Sequence, residues 1–168
     1  MKITEVNMLR LVLNLLINSS NNDIRIFLTF DENGKNSDLF NLMNNEMFIN
    51  NIVEYLYDSN SKITIISNKV KTIRNSDFFL KLNNMDLIQD RVFIRSIESK
   101  TFANLKKKGL DTEFVISEPS TILFGDFDKI SMSKDNPPFV NFNSESFFNV
   151  LLRFFNMVVS LKMEQTGD

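Results

Sequence analysis

The sequence predicts a mixed α/β fold, with parallel β-α-β units in the first two-thirds and short antiparallel strands in the last third. A closing apolar helix completes it. Three observations carry this expectation. Up to Gly109, strand-like and helical runs alternate three times, and parallel strands joined by right-handed crossovers are the stable answer to that pattern. Beyond Gly109, strand-like pieces follow one another too closely for crossover helices, so neighbours must pair as antiparallel hairpins. The last helical run is apolar around most of its girth, so one face can pack on the sheet and the remainder implies either deep burial or contact with another chain.

The elements follow in order. Met8, Leu11, Val12, Leu15 and Leu16 have the spacing of one face of an amphipathic first helix, ended by Ser19-Ser20-Asn21-Asn22. Ile24 to Phe30 alternates as a half-buried strand, and Asp31-Glu32-Asn33-Gly34 is turn chemistry that ends it. Ser37 is placed to cap a long helix whose buried stripe is Leu39, Met43, Met47, Ile49, Ile52, Val53 and Leu56, with Asp38 favourable to its dipole. Lys62 to Ser67 reads as a second strand, Phe78 to Leu82 as an apolar-rich segment, and Arg91 to Ile97 as a third strand. Lys100 to Lys108 is a short basic helix closed by Gly109. Short strands are expected at Glu113–Ser117, Thr121–Phe124, Ile130–Ser133 and Phe139–Phe142. Ser144 then caps the final helix, whose polar residues Asn149, Arg153, Asn156 and Ser160 form one narrow stripe.

Composition narrows the chemistry. The 168 residues suit one domain, with an N-terminal helix in 1–20 and an α/β core over 23–162. There is no histidine, cysteine or tryptophan, which removes imidazole catalysis, Cys or His metal sites, thiol chemistry and disulfides. Only four glycines occur, and none forms a phosphate-cradling motif. A net charge of −2 argues against general attraction to nucleic acid or anionic lipid, although local basic clusters remain. No run approaches the roughly 18 apolar residues of a membrane span, so a cytoplasmic protein with no membrane partner is expected.

Three sets of residues are candidates for function. Asp31, Glu32, Asp126 and Asp128 lie after strand ends, where an open α/β sheet places ligands, and could hold Mg²⁺, the one cofactor implied. Their competing role is turn chemistry. Lys69, Lys71 and Arg74 in one loop, with Lys106, Lys107 and Lys108 at a helix end, could hold a phosphate backbone if they share a face. Lysines in a last helical turn also simply favour the dipole. Phe147, Phe148, Leu151, Phe154, Phe155 and Val158 are candidates for a protein interface, against ordinary packing on the sheet.

The order of elements, and the segment Thr112 to Val159 in particular, resembles one half of a phospholipase D-like domain. TEFVISEPSTILFGDFDKISM is similar to the strand, turn and strand that in that family carry His-x-Lys and a following Asp. PPFVNFNSESFFNVLLRFF is similar to the strand end and final helix after it, with Asn141 or Asn143 matching the asparagine of the family's Gly-Ser-x-Asn. The family's nucleophile and acid are histidines and this chain has none, so the resemblance implies a degenerate member that kept the scaffold and lost the phosphodiester chemistry. A Rossmann-like domain is the competing fold. The first functional expectation is therefore a non-catalytic interaction module, an oligomer or a subunit of a bacterial or phage-related assembly of the antiviral-defence or immunity type. The alternatives are a small Mg²⁺-dependent phosphoester-processing enzyme and a nucleic-acid-contacting accessory protein.

Overall fold

A computed structural model describes residues 1–3, 5–20, 23–34, 37–58, 61–127 and 138–161. The strands are β1 (Ile24–Leu28), β2 (Ile63–Ser67), β3 (Val92–Ser96), β4 (Phe114–Ser117), β5 (Thr121–Phe124) and β6 (Phe139–Asn141). They form one sheet in the order β3-β2-β1-β4-β5-β6. β1 pairs with β2, and β2 with β3, in parallel. β4 turns antiparallel to β1, and β5 and β6 each continue antiparallel to the strand before. The predicted α/β class, with its parallel first part, antiparallel later strands and closing helix, is what the chain adopts. The strand expected at Ile130–Ser133 and the carboxylate of Asp128 lie outside the described residues.

The helices α1 (Val6–Ser19), α2 (Asp38–Met43), α3 (Glu46–Asp58), α4 (Val70–Arg74), α5 (Asp77–Asn84) and α6 (Leu87–Asp90) precede β3, and α7 (Ser99–Lys107) and α8 (Glu145–Ser160) follow it. Alternate residues of each strand point to opposite faces. Ile24, Ile26, Ile63, Ile65, Val92, Val115, Leu123 and Val140 join a largely aliphatic core under the early helices. Phe27, Ile66, Phe114, Ile116 and Ile122 join a second core on the opposite face, closed by Leu105 of α7 and by α8. The central strands are thus buried on both faces, as parallel strands require, while β3 at the edge buries only Val92.

Several expectations shift. The first helix buries Leu9, Val12, Leu13, Leu16 and Ile17, so its core face is turned from the one predicted, and Leu11 and Leu15 are exposed. The reason lies in its being apolar at both 11/15 and 9/13/16, which leaves periodicity two faces to choose from. The long helix after Ser37 is two helices. Ser37 caps α2 as expected, accepting the Phe40 N–H at 3.0 Å. Asn45 then starts a new helix, its side chain accepting the Met47 N–H at 3.0 Å, and Met47 becomes exposed. Phe27, which alternation puts with Arg25 and Thr29 on the side of the strand away from Ile24 and Ile26, is fully buried because α8 covers that face. Ser144 begins α8 without a side-chain cap; its carbonyl accepts the Phe148 N–H at 2.8 Å.

The outer edge of β6 is covered by the chain's first residues. Ile3 N–H donates to the Pro138 carbonyl at 2.7 Å and Val140 N–H to the Met1 carbonyl at 2.9 Å. Gly125 sits at φ +147, and a Cβ there would meet Pro138 Cα at 2.5 Å, so only glycine lets the chain pass between β5 and the entry to β6.

Candidate functional site

In open α/β sheets ligands lie outside the carboxyl ends of the strands, where the direction of winding changes. Here that point is β1: the chain adds β2 and β3 on one side of it, then returns to add β4 on the other. Two depressions flank the end of β1, and the sequence order of their residues explains both.

The first, of about 210 Å³, is lined by Thr29, Asp111, Thr112, Glu113, Gly125, Asp126 and Phe127. Thr29 follows β1, Asp111 to Glu113 lead into the antiparallel β4, and Gly125 to Phe127 leave β5, so all three segments reach the same edge of the sheet. Glu113 is buried at 6% exposure. Its Oε1 accepts the Thr29 N–H at 3.0 Å and the Ser37 hydroxyl at 2.7 Å. The Thr29 hydroxyl donates to the Asp111 carbonyl at 3.0 Å. The Glu113 carboxylate therefore pins the end of β1 and the start of α2 to the start of β4.

The second, of about 200 Å³, is lined by Phe30, Glu32, Asn68, Lys69, Ser99, Phe102 and Lys106. Asn68, just past β2, grips β1's extension by both backbone groups of one residue: its Oδ1 accepts the Phe30 N–H and its Nδ2 donates to the Phe30 carbonyl, each at 2.9 Å. Lys69 Nζ donates to the Glu32 carbonyl at 2.8 Å, and the Thr72 hydroxyl to the Gly34 carbonyl at 3.1 Å. Ser99, Phe102 and Lys106 follow at i, i+3 and i+7, one face of α7 turned to this depression.

The structure sorts the predicted residues as follows. Of the carboxylates, Asp126 lines the first depression and Glu32 the second, while Asp31 stands half-buried between β1 and the turn. Among the described residues no group of three or more Asp or Glu side chains is placed to hold a metal ion. Of the basic residues, Lys69 and Lys106 meet in the second depression despite their distance in sequence. Lys107 and Lys108 continue from it, exposed at the end of α7, and Lys71 is exposed on α4. Arg74 lies elsewhere, in a groove along β3 with Phe79, Val92, Phe93, Ile94 and Arg95.

The six interface candidates face the sheet. Phe148, Leu151, Phe155 and Val158 are buried in the second core. Phe154 sits edge-on to Phe27, with ring centroids 5.4 Å apart, and Phe147 stacks on Phe139 at 5.9 Å. The apolar residues that α8 leaves exposed are Val150, Met157 and Leu161. Glu113, Asn68 and Phe102 were not singled out from the sequence. For Glu113 a faint signal existed, a lone charge leading straight into an apolar strand.

No protein-family model matches the chain, and no curated protein matches it in sequence. Solved structures do share its fold. One was reported as "Structure of TrmBL2, an archaeal chromatin protein, shows a novel mode of DNA binding"; it is 12% identical with a TM-score of 0.53, over 95% of this chain. The chain spans about half, 51%, of that protein's length. Another is NucT from Helicobacter pylori, 11% identical with a TM-score of 0.52, over 91% of this chain and 89% of NucT. At these identities the likeness is one of fold.

Proposed function

We propose that the chain is a non-catalytic, phospholipase D-like α/β domain that holds a nucleic-acid backbone at the carboxyl edge of its sheet. The observation that carries this reading is the meeting of Lys69 and Lys106 in one depression, with the Ser99 hydroxyl beside them and Lys107 and Lys108 continuing along α7. Two lysines from separate elements lining one depression can both reach a phosphate backbone, a contact that positions it without reading bases. The DNA binding reported for the TrmBL2 structure supports the same direction. The absence of histidine supports binding without the hydrolysis that the phospholipase D-like family performs through that residue.

The test is binding of short labelled duplex and single-stranded oligonucleotides across a salt series. Binding is expected at low salt, falling log-linearly as salt rises. Lys69→Ala and Lys106→Ala should each reduce the slope by about 1 and weaken all sequences alike. Absence of binding at low salt, or slopes that neither variant changes, would reject the reading.

A second reading is a subunit of a larger cytoplasmic assembly of the bacterial or phage-related defence type. It is favoured by exposed apolar residues on opposite sides of the sheet: Leu11 and Leu15 on α1, and Val150 and Met157 on α8 with Leu161 just past it. Single exposed apolar residues are ordinary, but adjacent ones on one helix face mark contact surfaces. Met157→Asp should leave the fold intact and release a partner or second copy in sedimentation analysis; an unchanged mass removes it.

A further inference from the structure

β3 is an edge of the sheet, and the described residues pair no further strand with it. Which of its backbone groups face outward follows from the ladder it makes with β2. Ile63 N–H donates to the Arg91 carbonyl at 2.8 Å and Ile97 N–H to the Ser67 carbonyl at 2.9 Å. Residues 91, 93, 95 and 97 thus turn their peptide groups toward β2, and Val92, Ile94 and Ser96 turn theirs away. Val92 is buried, but Ile94 is half-buried and Ser96 exposed, so the upper part of the edge is open.

A groove of about 460 Å³ runs along this edge, lined by Arg74, Phe79, Val92, Phe93, Ile94 and Arg95. Its walls are alike in chemistry. On the side of α4 and α5 stand Arg74 and Phe79; on the other face of β3 stand Phe93 and Arg95. Both arginines are exposed, and among the described residues neither forms an ion pair, whereas Arg25 is paired to Glu118 at 2.9 Å. Among the described residues no acidic one lines the groove.

We propose that the open part of β3 takes an extended, acidic segment of a partner protein as an added strand. The outward groups of Ile94 and Ser96 offer a donor and an acceptor each, which is what another peptide backbone satisfies. Alternate side chains of that segment fall to the two walls, so acidic residues on either face meet Arg74 or Arg95 while an apolar one covers Phe79. A nucleic-acid backbone fits less well, because phosphate oxygens accept only and would leave the outward carbonyls facing negative charge. The proposal stands apart from the phosphate contacts at Lys69 and Lys106.

The experiment titrates isotope-labelled protein with an acetylated peptide of alternating aspartate and valine, and with its lysine-valine twin, followed by amide NMR. The aspartate peptide should shift the Ile94 and Ser96 amides and bind at least about tenfold tighter than the twin. Ser96→Pro removes an outward N–H that the sheet does not use, so the fold should hold while binding is lost. Arg95→Glu should reduce or reverse the preference between the two peptides. Equal binding of both peptides, no shift at Ile94 and Ser96 at saturation, or displacement of the aspartate peptide by oligothymidylate would overturn the proposal.

Discussion

The two cores on either side of the sheet are built from different materials. The one under α1 to α6 is mainly isoleucine, leucine and valine, spread over many helices. The one under α8 sets a cluster of phenylalanine rings among isoleucine, leucine and valine. Phe27 and Phe114 stack at 5.2 Å, Phe154 stands edge-on to both, and Phe155 meets Phe114 at 6.3 Å. A single long helix and one short one cover this face, so few side chains must hold it, and large rings supply the area. An aliphatic core spreads stability over many replaceable contacts, whereas an aromatic one concentrates it in a handful.

The largest effect expected from this contrast is at Phe114, 1% exposed and in contact with three rings. Phe114→Ala should cost about 3–5 kcal/mol in urea unfolding, and Ile65→Val on the aliphatic side about 0.5–1.5 kcal/mol. The mutations differ in size, so Ile65→Ala is the matching control; if it equals Phe114→Ala, the two cores share the load evenly and the contrast fails.

The strands were legible throughout: those at 24–28, 63–67 and 92–96 and those at 114–117, 121–124 and 139–141 all fall within the expected runs, because β-branched and aromatic residues bounded by polar turns leave few alternatives. What covers each face was less legible, as the core face of α1 and the break between α2 and α3 show on the aliphatic side. The phenylalanines of α8 could be read as packing or as an interface, since apolar area alone does not say what covers it. The cover over Phe27 was hidden for the same reason. At the candidate site, Lys69 and Lys106 were visible as basic residues, but their meeting depends on α7 returning beside the end of β2, a tertiary fact. Glu113 was missed because its partners, Thr29 and Ser37, come from distant parts of the chain.

Glu113 gives the next prediction in size. Where the cores meet the carboxyl edge, polar bonds rather than packing hold the elements together. Glu113→Ala would leave the Thr29 N–H and the buried Ser37 hydroxyl without this acceptor, at a cost of about 1–3 kcal/mol. Thermal unfolding reads the loss. A cost below that of an ordinary surface substitution, about 0.5 kcal/mol, would mean that water replaces the carboxylate and that the first depression is wetter than its burial implies.

The smallest effect expected is at Ser37, which joins the two kinds of element. Its Oγ accepts from Phe40 N–H, capping α2, and its hydroxyl donates to Glu113, so one side chain fastens a helix of the aliphatic layer to the first residue before β4. Ser37→Ala should cost about 1 kcal/mol for the cap. If the hydroxyl also supports Glu113, the two substitutions will not add: the double variant should cost less than the sum by more than about 0.5 kcal/mol. Strict additivity would make the serine a helix cap alone, and the tie between α2 and β4 would then rest on the Thr29 N–H. Coupling would instead make Ser37, Glu113 and Thr29 one unit holding the switch point of the sheet, beside the depression where Lys69 and Lys106 meet.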